Sequence, residues 1–322
     1  MVDWKNITVG ILAFVLVVCA GVFARPLLWK LNLDVKDAPN TFGLQEAFNV
    51  AEEADFTPAA KVAEDVAQAT KELDISPSLN ASTDIDIDDD DCGPITKAEA
   101  QYTYDAIKSA PLIRSPYPHI YLTPVYHPRV FKCVLKHMPV GNSTAFVRTQ
   151  KKPRFSIRLT SSVSDKSGLN NVAFWRSFSK ELGGSRIAML WVERFRSVLK
   201  ERGNLKKPSD VLYNLDLSRD TSGWFIKPHT DSVAKLVTTL YYLPPDTSNS
   251  DIGTAIFNGG KQGKDLKMVK TAPFVPNAVL AFAPCTRSWH GVSETALDKV
   301  AKRDTIQAFV RPRTPVKSKG EC

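Results

Sequence analysis

The sequence predicts a mainly β domain with flanking helices, preceded by an N-terminal transmembrane helix. Three observations predict it: an apolar run near the start, an aromatic stripe at helical spacing, and a change of texture after Pro208. The run is Ile7 to Ala24, 18 residues without a charge, close to the ~20 residues that cross a hydrocarbon core as a helix. Trp4 and Trp29 flank it, where amphipathic rings favour membrane interfaces. Val22 and Ala24 also fit a small-residue cleavage pattern, so a signal peptide is the competing reading. The stripe comprises Phe174, Trp175, Phe178, Leu182, Leu190, Trp191, Phe195, Val198 and Leu199, in a helical region from Asn171 to Arg202 broken at Gly183-Gly184. After Pro208 come short alternating runs separated by turn residues, the mark of strands.

Composition sets the domain plan. With 322 residues, 43% hydrophobic and 24% charged, the chain can bury one sizeable core with appendages. Its net charge of +8 conceals a strong polarity. Residues 31–95 hold 16 acidic against 3 basic residues, net −13, whereas residues 96–322 hold 17 against 36, net +19. The expected plan is a membrane anchor over 1–30, an acidic helical or disordered tether over 31–95, and a basic domain over 96–322. The β core of that domain lies at about 210–312. Such polarity is either plain solubility or a match to an anionic partner.

Arg25 and Lys30 follow the apolar run, whereas Lys5 before it is offset by Asp3, which leans toward a cytoplasmic domain. The glycosylation triplets at Asn80 and Asn142 would serve only on the lumenal side. In the tether, Thr57 and Pro58 can start a helix whose apolar positions are Val62, Val66, Ala69 and Leu73. The run Asp84 to Asp91 has the alternation of a calcium loop. Asp89 and Ile95 stand where that loop needs glycine and glutamate, so it reads as a solvated linker. The five cysteines, Cys19, Cys92, Cys133, Cys285 and Cys322, are odd in number and none has metal-ligand spacing. Isolated free thiols are expected.

The globular part is expected to begin near Pro111, with a proline-punctuated extended segment and then a helix over Arg129 to Lys136. His119, His127 and His137 lie among these positions and read as structural. The informative stretch is Asp210 to Phe257, where His229-Thr230-Asp231 sets an imidazole and a carboxylate two residues apart. On a strand those two side chains share a face. A third ligand must come from another strand, and His290, at the end of an apolar run and before a glycine, fits. Two histidines and a carboxylate on one face of an ion suit non-haem iron(II). The triplet alone arises by chance in many chains, His290 alone reads equally as a core histidine, and zinc in the triad would give a hydrolase.

The flanking residues resemble the 2-oxoglutarate/iron(II) oxygenase superfamily, in its prolyl 4-hydroxylase-like branch. SRDTSGWFIKPHTD resembles that family's approach to the first two ligands. KLVTTLYYLPPDTSNSDIGTAIF resembles the strand, loop and Gly-Thr turn that follow, and PFVPNAVLAFAPCTRSWHGVSE the strand with the distal histidine. The spacing of 59 residues from Asp231 to His290 is of the family's kind. The resemblance runs over roughly Pro111 to Pro312 and implies a double-stranded β-helix, a jelly-roll barrel with helices outside. It implies iron(II) held by His229, Asp231 and His290, 2-oxoglutarate and O2 as cosubstrates, and ascorbate as a supporting reductant. The products would be succinate, CO2 and a hydroxylated protein, peptide or glycan.

A basic residue after the distal histidine is expected to grip the far carboxylate of 2-oxoglutarate. Arg303, 13 residues beyond His290, is the choice, with the hydroxyl of Thr305 beside it. Lys302 points to the opposite face of the strand. Tyr213, Thr239 and Tyr241 are the candidate hydroxyl or phenol partners. Loops at Asp246 to Gly253 and Asn258 to Lys270 are expected over the barrel mouth, and Lys261, Lys264, Lys267 and Lys270 hint at an anionic substrate. Two other functions remain open: an oxidative nucleic-acid demethylase, and a non-catalytic ligand-binding barrel or scaffold at the membrane. The demethylase reading is weakened because Phe309 stands where that family has a second arginine, six residues after the first.

Overall fold

The computed structural model describes residues 92–140, 146–148, 153–159, 163, 167–203, 205–260, 262–293, 300 and 302–322. The membrane anchor, the tether helix, the Asp84 to Asp91 run and both glycosylation triplets lie outside the described residues. Among the described residues no helix is long and apolar enough to cross a membrane.

Among the described residues five α-helices come early. Helix α1 spans Lys97–Ser109, α2 Pro128–Lys136, α3 Val172–Glu181, α4 Ser185–Arg194 and α5 Arg196–Leu199. Helix α1 precedes the expected start of the globular part. Its signal was present in the sequence: Thr96 and Glu99 form a capping box, each side chain bonding the other's backbone N–H. Glu99 is then gripped by two N–H groups of Arg129 on α2. Pro128 opens α2 at the first helical turn, where its missing N–H costs nothing. His127 and His137 sit in this helical layer, 3.7 Å from Glu99 and 3.1 Å from Asn171 respectively.

The strands are β1 His119–Leu122, β2 Val147–Arg148, β3 Arg154–Leu159, β4 Val211–Thr221, β5 Ile226–His229 and β6 Val237–Tyr242, then β7 Thr254–Asn258, β8 Lys267–Ala272, β9 Ala278–Phe282, β10 His290–Val292 and β11 Lys302–Pro312. They form two antiparallel sheets, ordered β1-β9-β6-β11-β4-β3-β2 and β5-β10-β7-β8. Numbering β4 to β11 as eight core strands, the first, third, sixth and eighth share one sheet and the second, fourth, fifth and seventh the other. That alternation is the jelly roll expected from the resemblance. Strands β1, β2 and β3, which precede Pro208, extend the larger sheet at both edges. Lys267 and Lys270 belong to β8 rather than to a loop, and Lys261 lies outside the described residues.

Helices α3 and α4 cover the outer face of the larger sheet. Trp191 donates its indole N–H to the Tyr241 hydroxyl at 3.2 Å, and Tyr126 lies between Phe178 and Tyr241. The aromatic stripe is therefore core, as its spacing indicated, with Phe174, Trp175, Phe178, Trp191 and Phe195 all fully buried.

The expectation of free thiols is overturned. Cys92 is bonded to Cys133 and Cys285 to Cys322, each pair with Cα atoms 5.5 Å apart. The partners are 41 and 37 residues apart in sequence, so no short spacing betrayed them. Proximity in the fold decides pairing. The odd cysteine is Cys19, which lies in the apolar run.

Candidate metal centre

Sheet register assembles the two imidazoles. Strand β10 pairs with β5 so that His290 stands directly opposite His229, their ring centroids 4.4 Å apart. The next residue, Gly291, permits this approach, because a Cβ there would come within 2.7 Å of the Ile226 carbonyl oxygen. Asp231 lies two residues past the end of β5, so strand alternation does not place it. Its carboxylate is held instead by the Thr238 hydroxyl on Oδ2 and the Lys235 ammonium on Oδ1, both at 2.6 Å. Each imidazole Nε2 then lies 3.8 Å from a carboxylate oxygen, and the three ligand atoms fall within 4.8 Å of one another.

Both rings present the correct nitrogen. His229 Nδ1 lies 3.0 Å from the Lys227 carbonyl and His290 Nδ1 2.9 Å from the Ser288 carbonyl. A carbonyl can only accept, so each Nδ1 carries the proton and each Nε2 lone pair is left for an ion. Burial, reinforced by His229, pushes the His290 imidazole down to about 4 against the pull of Asp231. Burial also lowers His229, with Asp231 opposing. Burial alone would raise Asp231, but Lys235 and the two imidazoles hold its carboxyl well below the usual range. At neutral pH the trio is two neutral imidazoles and one carboxylate, the protonation state that binds a metal. Cis ligands about 2.1 Å from one ion sit about 3 Å apart, within a small side-chain adjustment of these positions.

The triad opens on a pocket of about 460 Å³, counting its mouth, lined from both sheets. At its far end a cross-strand ladder runs Arg154, Asp220, Arg303, the three residues standing opposite one another on β3, β4 and β11. Asp220 accepts from Arg154 Nε and Nη2 at 2.5 and 2.9 Å and from Arg303 Nη1 at 3.2 Å. Arg303, 2% exposed, also donates to the Ile252 carbonyl at 3.1 Å and to the Thr254 hydroxyl at 3.3 Å. Tyr242 donates to the same hydroxyl at 2.8 Å. Nearby, the Tyr117 hydroxyl and His119 Nε2 are buried without a hydrogen-bond partner. Their rings neighbour each other and Tyr117 packs on Phe282, which touches His290. Arg303 lines the pocket with three of its five N–H donors engaged, so its remaining donors suit a small anion.

The predicted site residues divide cleanly. His229, Asp231, His290 and Arg303 line the one pocket. Tyr213, Thr239 and Tyr241 do not: they point to the opposite face of the larger sheet, where the Tyr213 and Tyr241 hydroxyls lie 3.2 Å apart beneath Trp191. Thr239 bonds the Ala308 carbonyl there. This corrects the expectation, and the cause is strand alternation: Thr238 and Leu240 line the pocket and Tyr242 shares their face, whereas Thr239 and Tyr241 face the helices. Thr305 sits on the same strand face as Arg303 but meets Gln307, so the hydroxyl beside the guanidinium is that of Thr254. Sequence reasoning missed Tyr242, Thr254, Thr238, Lys235, Arg154 and Asp220. For Tyr242 the sequence offered no signal setting it apart from Tyr241, because β6 is buried on both faces.

No protein-family model matches the chain, and no curated protein matches it. Solved structures similar to it include a prolyl hydroxylase from Trichoplax adhaerens, in complex with a hypoxia inducible factor oxygen degradation domain peptide fragment. That match has 15% identity and TM-score 0.41, and covers 66% of this chain and 89% of that one. A Pseudomonas putida prolyl-4-hydroxylase matches at 10% identity and TM-score 0.36, over 66% of this chain and 98% of its own. An oxidoreductase of the 2OG-Fe(II) oxygenase family from Burkholderia pseudomallei matches at 12% and 0.37, over 70% and 94%. The chain resembles these oxygenases. At such identities and scores the reading of function rests on the chain's own residues.

Proposed function

We propose that the chain is an iron(II)- and 2-oxoglutarate-dependent dioxygenase that hydroxylates a protein, peptide or glycan, releasing succinate and CO2. One observation carries the reading: the 229/231/290 triad and a buried arginine share a single pocket between two sheets. His229 and His290 would hold the ion through Nε2, and Asp231 through its carboxylate. The bound iron would supply oxygen activation, and 2-oxoglutarate the electrons for it. Arg303, with Tyr242 and Thr254 behind it, would fix the far carboxylate by paired charge-assisted hydrogen bonds. Thr238 and Lys235 orient Asp231, and the apolar walls formed by Leu240, Phe309 and Val292 keep bulk water from the reacting centre.

The test is oxygen- and iron-dependent succinate release from 2-oxoglutarate by the full chain, compared with His229→Ala. Release by the wild-type chain alone supports the oxygenase. Equal, negligible release from both favours the ligand-binding barrel.

The two disulfides support an oxidising compartment for the domain, against the cytoplasmic lean of the flanking charges. Thiol labelling of the protein from its native host decides this. Four blocked cysteines place it in such a compartment, and four free ones return it to the cytoplasmic side.

A further inference from the structure

Arg202 is a buried cation, 3% exposed, whose hydrogen bonds all go to main-chain carbonyls. Burial lowers its pKa to about 10, so it stays charged at neutral pH. Its Nη1 donates to Lys235 at 2.9 Å, its Nη2 to Pro284 at 2.7 Å and its Nε to Lys319 at 2.7 Å. The three carbonyls belong to three separate segments, and each segment leads to the metal triad.

Lys235 places its ammonium on Asp231. Pro284 opens the loop to His290. In that loop the Ser288 hydroxyl closes a turn on the backbone of Cys285, and the Ser288 carbonyl orients the His290 ring. Lys319 donates its ammonium to the Thr230 hydroxyl at 2.6 Å, and Thr230 lies between the first two ligands. The segment 313–322 is fastened to the His290 loop by the Thr286 N–H on the Gly320 carbonyl, by Arg287 Nη2 on the Cys322 carbonyl and by the Cys285–Cys322 disulfide. The two ligand-bearing segments thus share a single planar fork and a single covalent strap.

We propose that Arg202 and the strap 313–322 act as a positioning clamp that sets the separation of the His229/Asp231 segment from His290, and thereby the metal affinity, without touching the ion. The inference rests on the metal-site reading above. A guanidinium suits the task because its donors diverge in one rigid plane, whereas a lysine offers a single flexible head.

Cobalt(II) titration of the full chain, followed by visible absorption and run beside thermal unfolding, tests the clamp. The wild-type chain binds one cobalt(II) and His229→Ala does not. If those two behave alike, the metal-site reading fails and the clamp with it. Given that difference, the pair Cys285→Ser/Cys322→Ser should weaken cobalt binding about 10–100-fold, the range typical of groups that orient ligands. The pair Cys92→Ser/Cys133→Ser opens a loop of similar length and should lose comparable stability while keeping wild-type affinity. Arg202→Lys should fall between, with an altered cobalt spectrum. Wild-type affinity in both the Cys285/Cys322 pair and Arg202→Lys overturns the clamp. Should Arg202→Lys fail to fold, the cysteine pairs decide alone.

Discussion

Replacing Arg303 with methionine separates binding from stability, because its neighbours keep other partners. A guanidinium has five N–H donors. Three are engaged by Ile252, Asp220 and Thr254, leaving two for a carboxylate. Hydrogen bonds to charged groups contribute about 1.5–3 kcal/mol each, so losing the pair costs about 3–6 kcal/mol of 2-oxoglutarate binding. That corresponds to a Kd raised roughly 10²–10⁴-fold. Folding should suffer less. Asp220 retains both bonds from Arg154, Thr254 retains Tyr242, and the Ile252 carbonyl alone is orphaned, at about 1–3 kcal/mol. The assay is anaerobic calorimetry of 2-oxoglutarate into the manganese-loaded chain, beside a thermal melt. A Kd within threefold of wild type would refute Arg303 as the carboxylate anchor, whatever the melt shows.

Tyr241→Phe and Tyr242→Phe form a paired test of strand face. Tyr242→Phe should raise the 2-oxoglutarate KM by about tenfold, whereas Tyr241→Phe should change only stability, by about 1 kcal/mol; equal KM values would contradict the assigned faces. Glu99 tests the α1–α2 junction. Burial would raise its carboxyl, but Arg129 and Thr96 pull it down from 4.5 to about 2. Its stabilising effect is therefore present above pH 4.5 and lost as pH falls through about 2, with an upper size of about 3 kcal/mol. Glu99→Gln should lower the melting temperature at pH 7 and flatten the dependence between those pH values; an unchanged acid limb would count against it.

What the sequence made legible follows from periodicity and burial. The metal triad could be read because His229 and Asp231 are close in sequence and His290 ends the apolar strand β9–β10 region, all features of local pattern. The helical stripe was legible because one face alone is buried. Strand faces were not. In β6 every residue but Leu240 is buried, since the strand has helices on one side and the pocket on the other. Alternation between apolar and polar then vanishes, and Tyr241 cannot be told from Tyr242 by hydropathy. The disulfides were illegible for a related reason: segments 41 and 37 residues apart meet only through the sheet topology. Arg154 and Asp220 likewise meet Arg303 through strand register, which no window of sequence contains.

Charge inside the pocket makes a last prediction. Three cations line it, Arg154, Lys235 and Arg303, against two carboxylates, Asp231 in the lining and Asp220 bonded to both arginines behind it. With both ligand imidazoles neutral, the interior is one positive charge in excess before any ion binds. A divalent metal alone would raise that excess to three, a cost that grows where water is excluded. A dicarboxylate alone would leave the pocket one charge negative. Together they return it to the starting value, so each relieves the charge that the other introduces. Metal and 2-oxoglutarate should therefore bind cooperatively, each tightening the other by the same factor, as linkage requires. Manganese should lower the Kd of 2-oxoglutarate by about tenfold or more, and saturating 2-oxoglutarate should lower the Kd of manganese equally. Identical 2-oxoglutarate affinity with and without metal would mean that the anion sits elsewhere than beside the triad, and the shared pocket would lose its mechanistic meaning.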